Sequence, residues 1–327
     1  MSKLVTIYGG SGFVGRYVAR RLAKEGWRVR VAVRRPNEAI FVRPYGAPGQ
    51  VEPVLCNVRD DASVRAAMAG ADAVVNCVGV INGLGKNTFE AVQVEGAGRV
   101  ARLAAEMGVP RLVHVSALGA SADSGSNYFR TKAAGEAAVL EAYPAAVILR
   151  PSVIFGSGDS FFSRLGALAR SFPIIPVVGA DAALQPVYVE DVAQAAVLGA
   201  TGKAVPGIYE LGGPEVMTMR EAQARVVAEV ERKRVLLPVP GILARLLALP
   251  FDLVQGLTLG LIQNKILTRD QVRMMAEPNV VREGALGFEA LGIQPTAVEA
   301  VIPEYLWPYR PAGQYAAIKN SARKIRA

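Results

Sequence analysis

The chain has 327 residues, 51% of them hydrophobic and 20% charged, with a formal net charge of +9. This composition supplies a substantial core and excludes disorder over most of the length; the size suits one large α/β domain or a core with a smaller lobe. The charge does not point to nucleic acid, because aromatic residues are only 7% and do not interleave with the basic ones.

Leu4 to Tyr8 is a short apolar, β-favouring run that ends in Gly9, Gly12 and Gly15, spaced three apart, and then passes into a helix from Phe13 to Lys24. Strand, glycine turn and helix in that order form a phosphate cradle. Gly9 permits a turn with positive φ, Gly12 lets a pyrophosphate approach the backbone, and Gly15 lets the helix pack against the strand. The helix then aims its free N–H groups and positive dipole end at the phosphates. Because the first strand starts at Lys3, no signal or transit peptide is expected ahead of it. Residues 1 to 35 hold nine Lys/Arg and one acid, Glu25. Arg16, Arg20 and Lys24 share one helix face, which is expected to be solvated.

Arg28 to Arg34 alternates as the second strand. Where an NAD-selective site wants an acid for the ribose 2′-hydroxyl, the chain has Arg34-Arg35, so NADP(H) is expected over NAD(H). Val51 to Leu55 is the third strand, with Asp60 as N-cap of a helix over 62–69. Asp72 to Val78 is the fourth, and a helix follows from Phe89 to Met107, whose Gly96 and Gly98 predict a close neighbour. Arg111 to Ser116 is the fifth strand. Its His114 is the only histidine of the chain and is expected to be packed, not catalytic. Cys56 and Cys77 end two of the predicted strands in no metal-type spacing, so core thiols and no metal site are expected. Four consecutive βα units imply a doubly wound parallel sheet.

Tyr128 and Lys132 lie four apart on one face of the next helix. An ammonium near a phenol favours the phenolate, so the pair is expected to move a proton near neutral pH. Ser116, twelve residues before the tyrosine, is the candidate third member, with Ser121 its rival. Val147 and its neighbours, from Ala146 to Arg150, form strand six, and Gly207 to Gly213 strand seven. Glu190 and Asp191 are placed near a helix cap. Thr218/Glu221, Thr268/Gln271 and Thr296/Glu299 read as capping boxes.

From Val235 to Gln263 the chain is strongly apolar but broken by Pro238, Pro240 and Pro250, so no transmembrane span is expected. Two readings stand: short core helices, or a surface that meets a partner or the lipid interface. The tail after Pro308 has five Lys/Arg and no acid. It reads as a disordered end or as an arm for an acidic surface or lipid headgroups. The expected organisation is a Rossmann-like core over 1–234, with 152–186 and 212–234 contributing to a second lobe. A smaller, mostly helical C-terminal lobe covers 235–327.

The Gly-x-x-Gly-x-x-Gly turn resembles that of extended and atypical short-chain dehydrogenases/reductases, and Arg150-Pro-Ser-Val-Ile-Phe-Gly156 resembles the element that lines the nicotinamide in that group. Tyr128-Phe-Arg-Thr-Lys132, Leu267-Thr-Arg-Asp-Gln-Val272, Asn279-Val-Val281 and Gly292-Ile-Gln-Pro-Thr296 through Tyr309 together resemble a narrower family, the short-chain-dehydrogenase-like accessory subunit of respiratory complex I in a bacterial form. The likeness spans nearly the whole chain. It implies bound NADPH, contacted by Gly9, Ser11, Gly12, Phe13, Val14, Gly15, Arg34, Arg35, Asn57, Val58, Cys77, Val78, Gly79, Ser116, Tyr128, Lys132, Pro151, Ser152 and Val153. It also implies other complex I subunits as partners, a peripheral place on the cytoplasmic side of the inner membrane, and a structural or assembly role. The alternative is a free NADPH-dependent reductase, epimerase or dehydratase acting on a nucleotide sugar or small carbonyl compound, with Tyr128 as proton donor or base.

Overall fold

The computed structural model describes residues 2–81, 83, 85–240, 243, 269–275 and 277–315. In chain order β1 (Leu4–Tyr8), α1 (Phe13–Lys24), β2 (Arg28–Val33), β3 (Val51–Leu55), α2 (Asp61–Met68), β4 (Ala73–Asn76), α3 (Glu95–Glu106), β5 (Leu112–Val115), α4 (Asn127–Ala142) and β6 (Val147–Pro151) come first. Then follow β7 (Ile154–Phe155), α5 (Phe162–Ser171), β8 (Ile174–Val178), β9 (Ala183–Leu184), β10 (Val187–Tyr188), α6 (Val189–Thr201), β11 (Gly207–Leu211) and β12 (Met217–Thr218). The last elements are α7 (Met219–Glu229), β13 (Val235–Val239), α8 (Arg269–Met274) and α9 (Val298–Leu306).

Seven strands make one parallel sheet in the order β11-β6-β5-β4-β1-β2-β3. This is the expected α/β Rossmann-like fold, buried on both faces. Val5, Ile7, Val29 and Val31 pack toward α1 and α6 with Val18, Leu22, Val192 and Ala196. Tyr8, Val74 and Ile148 pack toward Val64, Met68, Val100 and Leu103 on the other side. Alternation along β1 places Thr6 and Tyr8 on that second face, and their hydroxyls are satisfied by the carbonyls of Ala67 (2.9 Å) and Val64 (2.7 Å). The order of strands reverses between β1 and β4, and there a doubly wound sheet opens a crevice for ligands. The glycine turn follows β1 at that switch.

A second core joins Phe155, Phe162 and Ile175 to Met217, Val226, Val301, Ile302 and Leu306. Around it β7 pairs with β10, β9 with β12 and β8 with β13.

Several sequence expectations shift. The helix expected over 89–107 opens as a π turn, Glu90–Val94, before α3 begins. Residues 235–239 are a strand, not a core helix, because they pair in parallel with β8; residues 241, 242 and 244–263 of the apolar stretch, and Thr268 beyond it, lie outside the described residues. Thr296 does not cap α9, whose N-cap is Ala297. Its N–H and hydroxyl instead donate to the Asp191 carboxylate, at 2.7 and 3.2 Å. Asp191 and Glu190 lie in the first turn of α6 but supply no side-chain cap to it. The Arg16/Arg20 face of α1 is not simply solvated: Arg16 donates to the Gly158 carbonyl at 3.3 Å, and Arg20 pairs with Glu190.

Candidate functional site

The cradle after β1 has the geometry its glycines require. Gly9 adopts φ +70° and donates to the Ala32 carbonyl at 3.0 Å, tying the turn to β2. A Cβ on Gly15 would press against the Gly9 oxygen and Gly10 backbone. Gly12 is the N-cap of α1, exposed and without a side chain to cap the helix, and the first turn carries no acid. The opening amides of α1, around Phe13 and Val14, therefore face the crevice with no side-chain cap in the way, beside Ser11. An anion fits this position.

At the end of β2, Arg34 and Arg35 are both exposed. Arg35 makes an exposed ion pair with Glu38 at 2.9 Å, a contact worth little in water. Arg34 has no hydrogen-bond or ion-pair partner among the described residues. At the end of β3, Asn57 spends its side-chain oxygen on the Arg59 amide at 3.2 Å and its own amide on Ser63 at 2.9 Å. Val58 lies against Gly96.

The turn after β4 is fixed by a residue pair. Asn76 accepts from the Val78 amide at 3.1 Å, and its amide nitrogen meets His114 Nδ1 at 3.2 Å. His114 is buried, and burial together with the neighbouring Lys132 charge lowers its pKa to about 3. It stays neutral and structural, as expected. Cys77 is half-buried, and burial pushes its thiol up to about 12, so it carries no thiolate. Gly79 completes this turn, and Lys132 Nζ stands 3.5 Å from where a Cβ on it would sit.

Lys132 is buried and donates to the Val115 carbonyl at 3.2 Å. Its nitrogen lies 5.9 Å from the centre of the Tyr128 ring. The expected depression of the phenol is not found: burial pushes Tyr128 up to about 12 and pulls Lys132 down to about 8. Desolvation is the leading cause of both shifts. Ser116, at the end of β5, is buried with a hydroxyl that has no partner. Ser121 is exposed, and its oxygen accepts from the Asp123 amide in a turn. Ser116 is therefore the better third member, since an orphaned buried hydroxyl calls for a ligand atom. Pro151 is the last residue of β6. Ser152 is buried, and both its amide and its hydroxyl are used internally, by Leu211 and Asn279. The carbonyl of Val153 accepts from Val187.

Several positioning residues escaped the sequence reading. Gln93, in the π turn, is buried and donates to the Val80 carbonyl at 2.6 Å, while its oxygen accepts from Thr131 at 3.1 Å. It ties the loop after Gly79 to the helix of Tyr128. Arg150 forms a two-pronged pair with buried Glu136 at 2.6–3.1 Å. Buried Glu210 is shared between Arg150 and Arg282. A π turn is a recurrent mark of functional sites, but its hydrogen-bond shift has no sequence signature, so nothing in the sequence singled out Gln93. No His/Cys/Asp/Glu group among the described residues could hold a metal.

The model of the NAD dependent epimerase/dehydratase family matches residues 5–212. The chain belongs to that family. It is 34% identical over 319 residues, 95% of its own length and 79% of the other, to the mitochondrial NADH dehydrogenase (ubiquinone) 1 alpha subcomplex subunit 9 of Arabidopsis thaliana. The mouse protein of that name is 31% identical, over 94% of this chain and 80% of its own. The ceramide reductase of Caulobacter vibrioides is 37% identical over 190 residues, 58% of each chain. Among solved structures, the UDP-glucose 4-epimerase of Thermus thermophilus in complex with NAD superposes with TM-score 0.65 at 19% identity, over 94% of this chain and 99% of that one. This last likeness is one of fold.

Proposed function

We propose that the protein is an NADP(H)-binding accessory subunit of a respiratory NADH:ubiquinone oxidoreductase, with a structural or assembly role. The observation that carries this is the reach of the similarity. The subunit-9 relatives align over 94–95% of the chain, so they include the C-terminal segments that stitch onto the sheet, whereas the ceramide reductase aligns over 58%. In this reading the partners are the other subunits of the complex, and the protein is peripheral on the cytoplasmic side of a bacterial inner membrane. The outer face of β8 and β13, which exposes Ile174, Val235 and Leu237, supports a docking role for this lobe. No helix among the described residues is long and apolar enough to cross a membrane.

The nucleotide sits in this reading with its pyrophosphate on the amides that open α1 and its 2′-phosphate on Arg34 and Arg35. Lys132 and Ser116 meet the nicotinamide ribose side, beside Tyr128. NADPH should bind more tightly than NADH. Arg34→Asp should reduce or reverse the preference, because one charge-assisted contact is worth about 1.5–3 kcal/mol. Equal dissociation constants for the two nucleotides in the unaltered protein would defeat this cofactor assignment. For the subunit assignment, the tagged protein should co-purify from native membranes with a large respiratory assembly. Recovery of the protein alone from the soluble fraction would defeat that part.

The second reading is a free reductase, epimerase or dehydratase of a nucleotide sugar or small carbonyl compound. The ceramide reductase likeness and the retained Ser116, Tyr128 and Lys132 favour it. As a reductase it requires NADPH oxidation on addition of a carbonyl substrate. As an epimerase or dehydratase, which regenerates its nucleotide, it requires turnover of a nucleotide sugar. Either activity should be abolished by Tyr128→Phe.

A further inference from the structure

The loop between Ser116 and Tyr128 carries two of the three candidate catalytic side chains at its ends, and one distant segment grips it throughout. Asn279 Nδ2 donates to the Leu118 carbonyl at 2.9 Å. Glu277 accepts from the Ser124 hydroxyl at 3.0 Å and from the Gly125 amide at 3.2 Å. Asp270 accepts from the Ser126 hydroxyl at 2.9 Å, the Asn127 amide at 2.8 Å and the Tyr128 amide at 3.2 Å. These partners lie 142 to 161 residues apart in the chain.

The capping of α4 is thus supplied from outside. Ser126 occupies the N-cap position and is of the right type to cap, yet it makes no side-chain cap bond. Its buried hydroxyl points its proton at Asp270 instead, and Asp270 takes the amides of Asn127 and Tyr128 that the helix leaves open. A carboxylate at this end also meets the positive end of the helix dipole. The Thr268-Arg-Asp-Gln271 sequence resembles a local cap of its own helix; Asp270 is spent on another one.

We propose that Asp270, Glu277 and Asn279 form a positioning clamp for the nucleotide site, with Asp270 its principal residue, so that nucleotide binding and the seating of these residues are thermodynamically linked. The inference rests on the dinucleotide reading above. A bound nucleotide fixes Lys132 and Tyr128, which fixes the first turns of α4 and so the amides that hold Asp270. By reciprocity a seated clamp tightens the nucleotide by the same factor. Asp270 touches neither nucleotide nor substrate in this scheme; it acts through the start of α4.

The test uses the full-length protein, with NADPH titrated calorimetrically and amide hydrogen exchange followed with and without NADPH. NADPH is expected to slow exchange both in 117–132 and in 270–279. Asp270→Ala should weaken NADPH about five-fold, the scale of a lost cap, and remove the protection that NADPH gives to 270–279. Asp270→Asn, which keeps one acceptor oxygen, should recover most of the affinity. Glu277→Gln, a milder change at the same clamp, should move both readouts in the same direction by less, and it keeps the test open if Asp270→Ala does not fold. Unchanged NADPH affinity in folded Asp270→Ala, or 270–279 exchange indifferent to NADPH in the unaltered protein, overturns the clamp while leaving the nucleotide reading standing. Failure of the unaltered protein to bind either nicotinamide dinucleotide overturns both.

Discussion

His114 shows at the scale of one residue how burial sets chemistry. Its pKa falls to about 3 in the folded chain, through desolvation first and the Lys132 charge second. The unfolded value is about 6.5. Between those two values the unfolded chain binds the extra proton, so stability rises with pH across the window and is lost as pH falls through it. From pH 7 to pH 5 this one residue should remove about 2 kcal/mol of stability. Urea unfolding at both pH values, for the unaltered protein and for His114→Gln, checks this: the variant should lose clearly less on acidification. Equal losses would mean that His114 does not titrate as its burial demands. Lys132 bears the opposite charge logic in the same pocket. With its pKa near 8, the ammonium persists at neutral pH and is lost above it. NADPH affinity should accordingly fall as pH rises through about 8. The same titration on Lys132→Met should lack that fall; a fall that survives in the variant assigns the effect to another group.

Among the elements, α3 and α4 pack so closely that glycine is structural. A Cβ on Gly98 would stand 3.1 Å from Ala138 Cβ, and one on Gly135 would collide with the Gln93 carbonyl. In an exposed helix Gly→Ala gains about 1 kcal/mol. Here Gly135→Ala should instead cost about 1–3 kcal/mol, because the obstructing atom is backbone in the π turn. Chemical denaturation decides between the two signs. This contact explains which features the sequence disclosed. Gly96 and Gly98 announced a close neighbour because two glycines in a periodic apolar helix have no other evident use. Gly135 did not, because its partner is a carbonyl displaced by the π turn. The seven strands of the parallel sheet, α1 and the Asp60 and Thr218 caps were legible for a simpler reason: each is decided by residues within a few positions of one another. The clamp by Asp270, the Gln93 bridge and the Thr296–Asp191 bond were not, since each joins elements far apart in the chain and uses residue types that cap or solvate equally well elsewhere.

Across the whole molecule, the C-terminal residues hold the sheet together as much as they extend it. Glu210 on β11 is buried and held by Arg282, at 2.6 and 2.8 Å, and by its amide at 3.0 Å. These bonds hold its pKa below the ordinary carboxylate range although burial alone would raise it. Asp191 at the start of α6 is bound by Thr296, and Asp159 by the Tyr305 hydroxyl at 2.8 Å. Phe288 packs in the core under the sheet, and Val298, Val301, Ile302 and Leu306 in the second core. At about 1.5–3 kcal/mol for each fully buried apolar side chain, these five contribute on the order of 10 kcal/mol, as much as the net stability of an ordinary domain. Truncation also strips Arg282 from buried Glu210 and leaves it Arg150 alone, at 3.5 Å, which adds to the loss. A chain ending at Arg234 should therefore not fold into a nucleotide-binding core, even though it contains every candidate cofactor contact and every strand of the sheet. Circular dichroism, solubility and NADPH titration of the 1–234 fragment test this. A soluble fragment with a cooperative unfolding transition and the affinity of the full chain would show that the core is autonomous. It would also show that the C-terminal contacts serve only attachment.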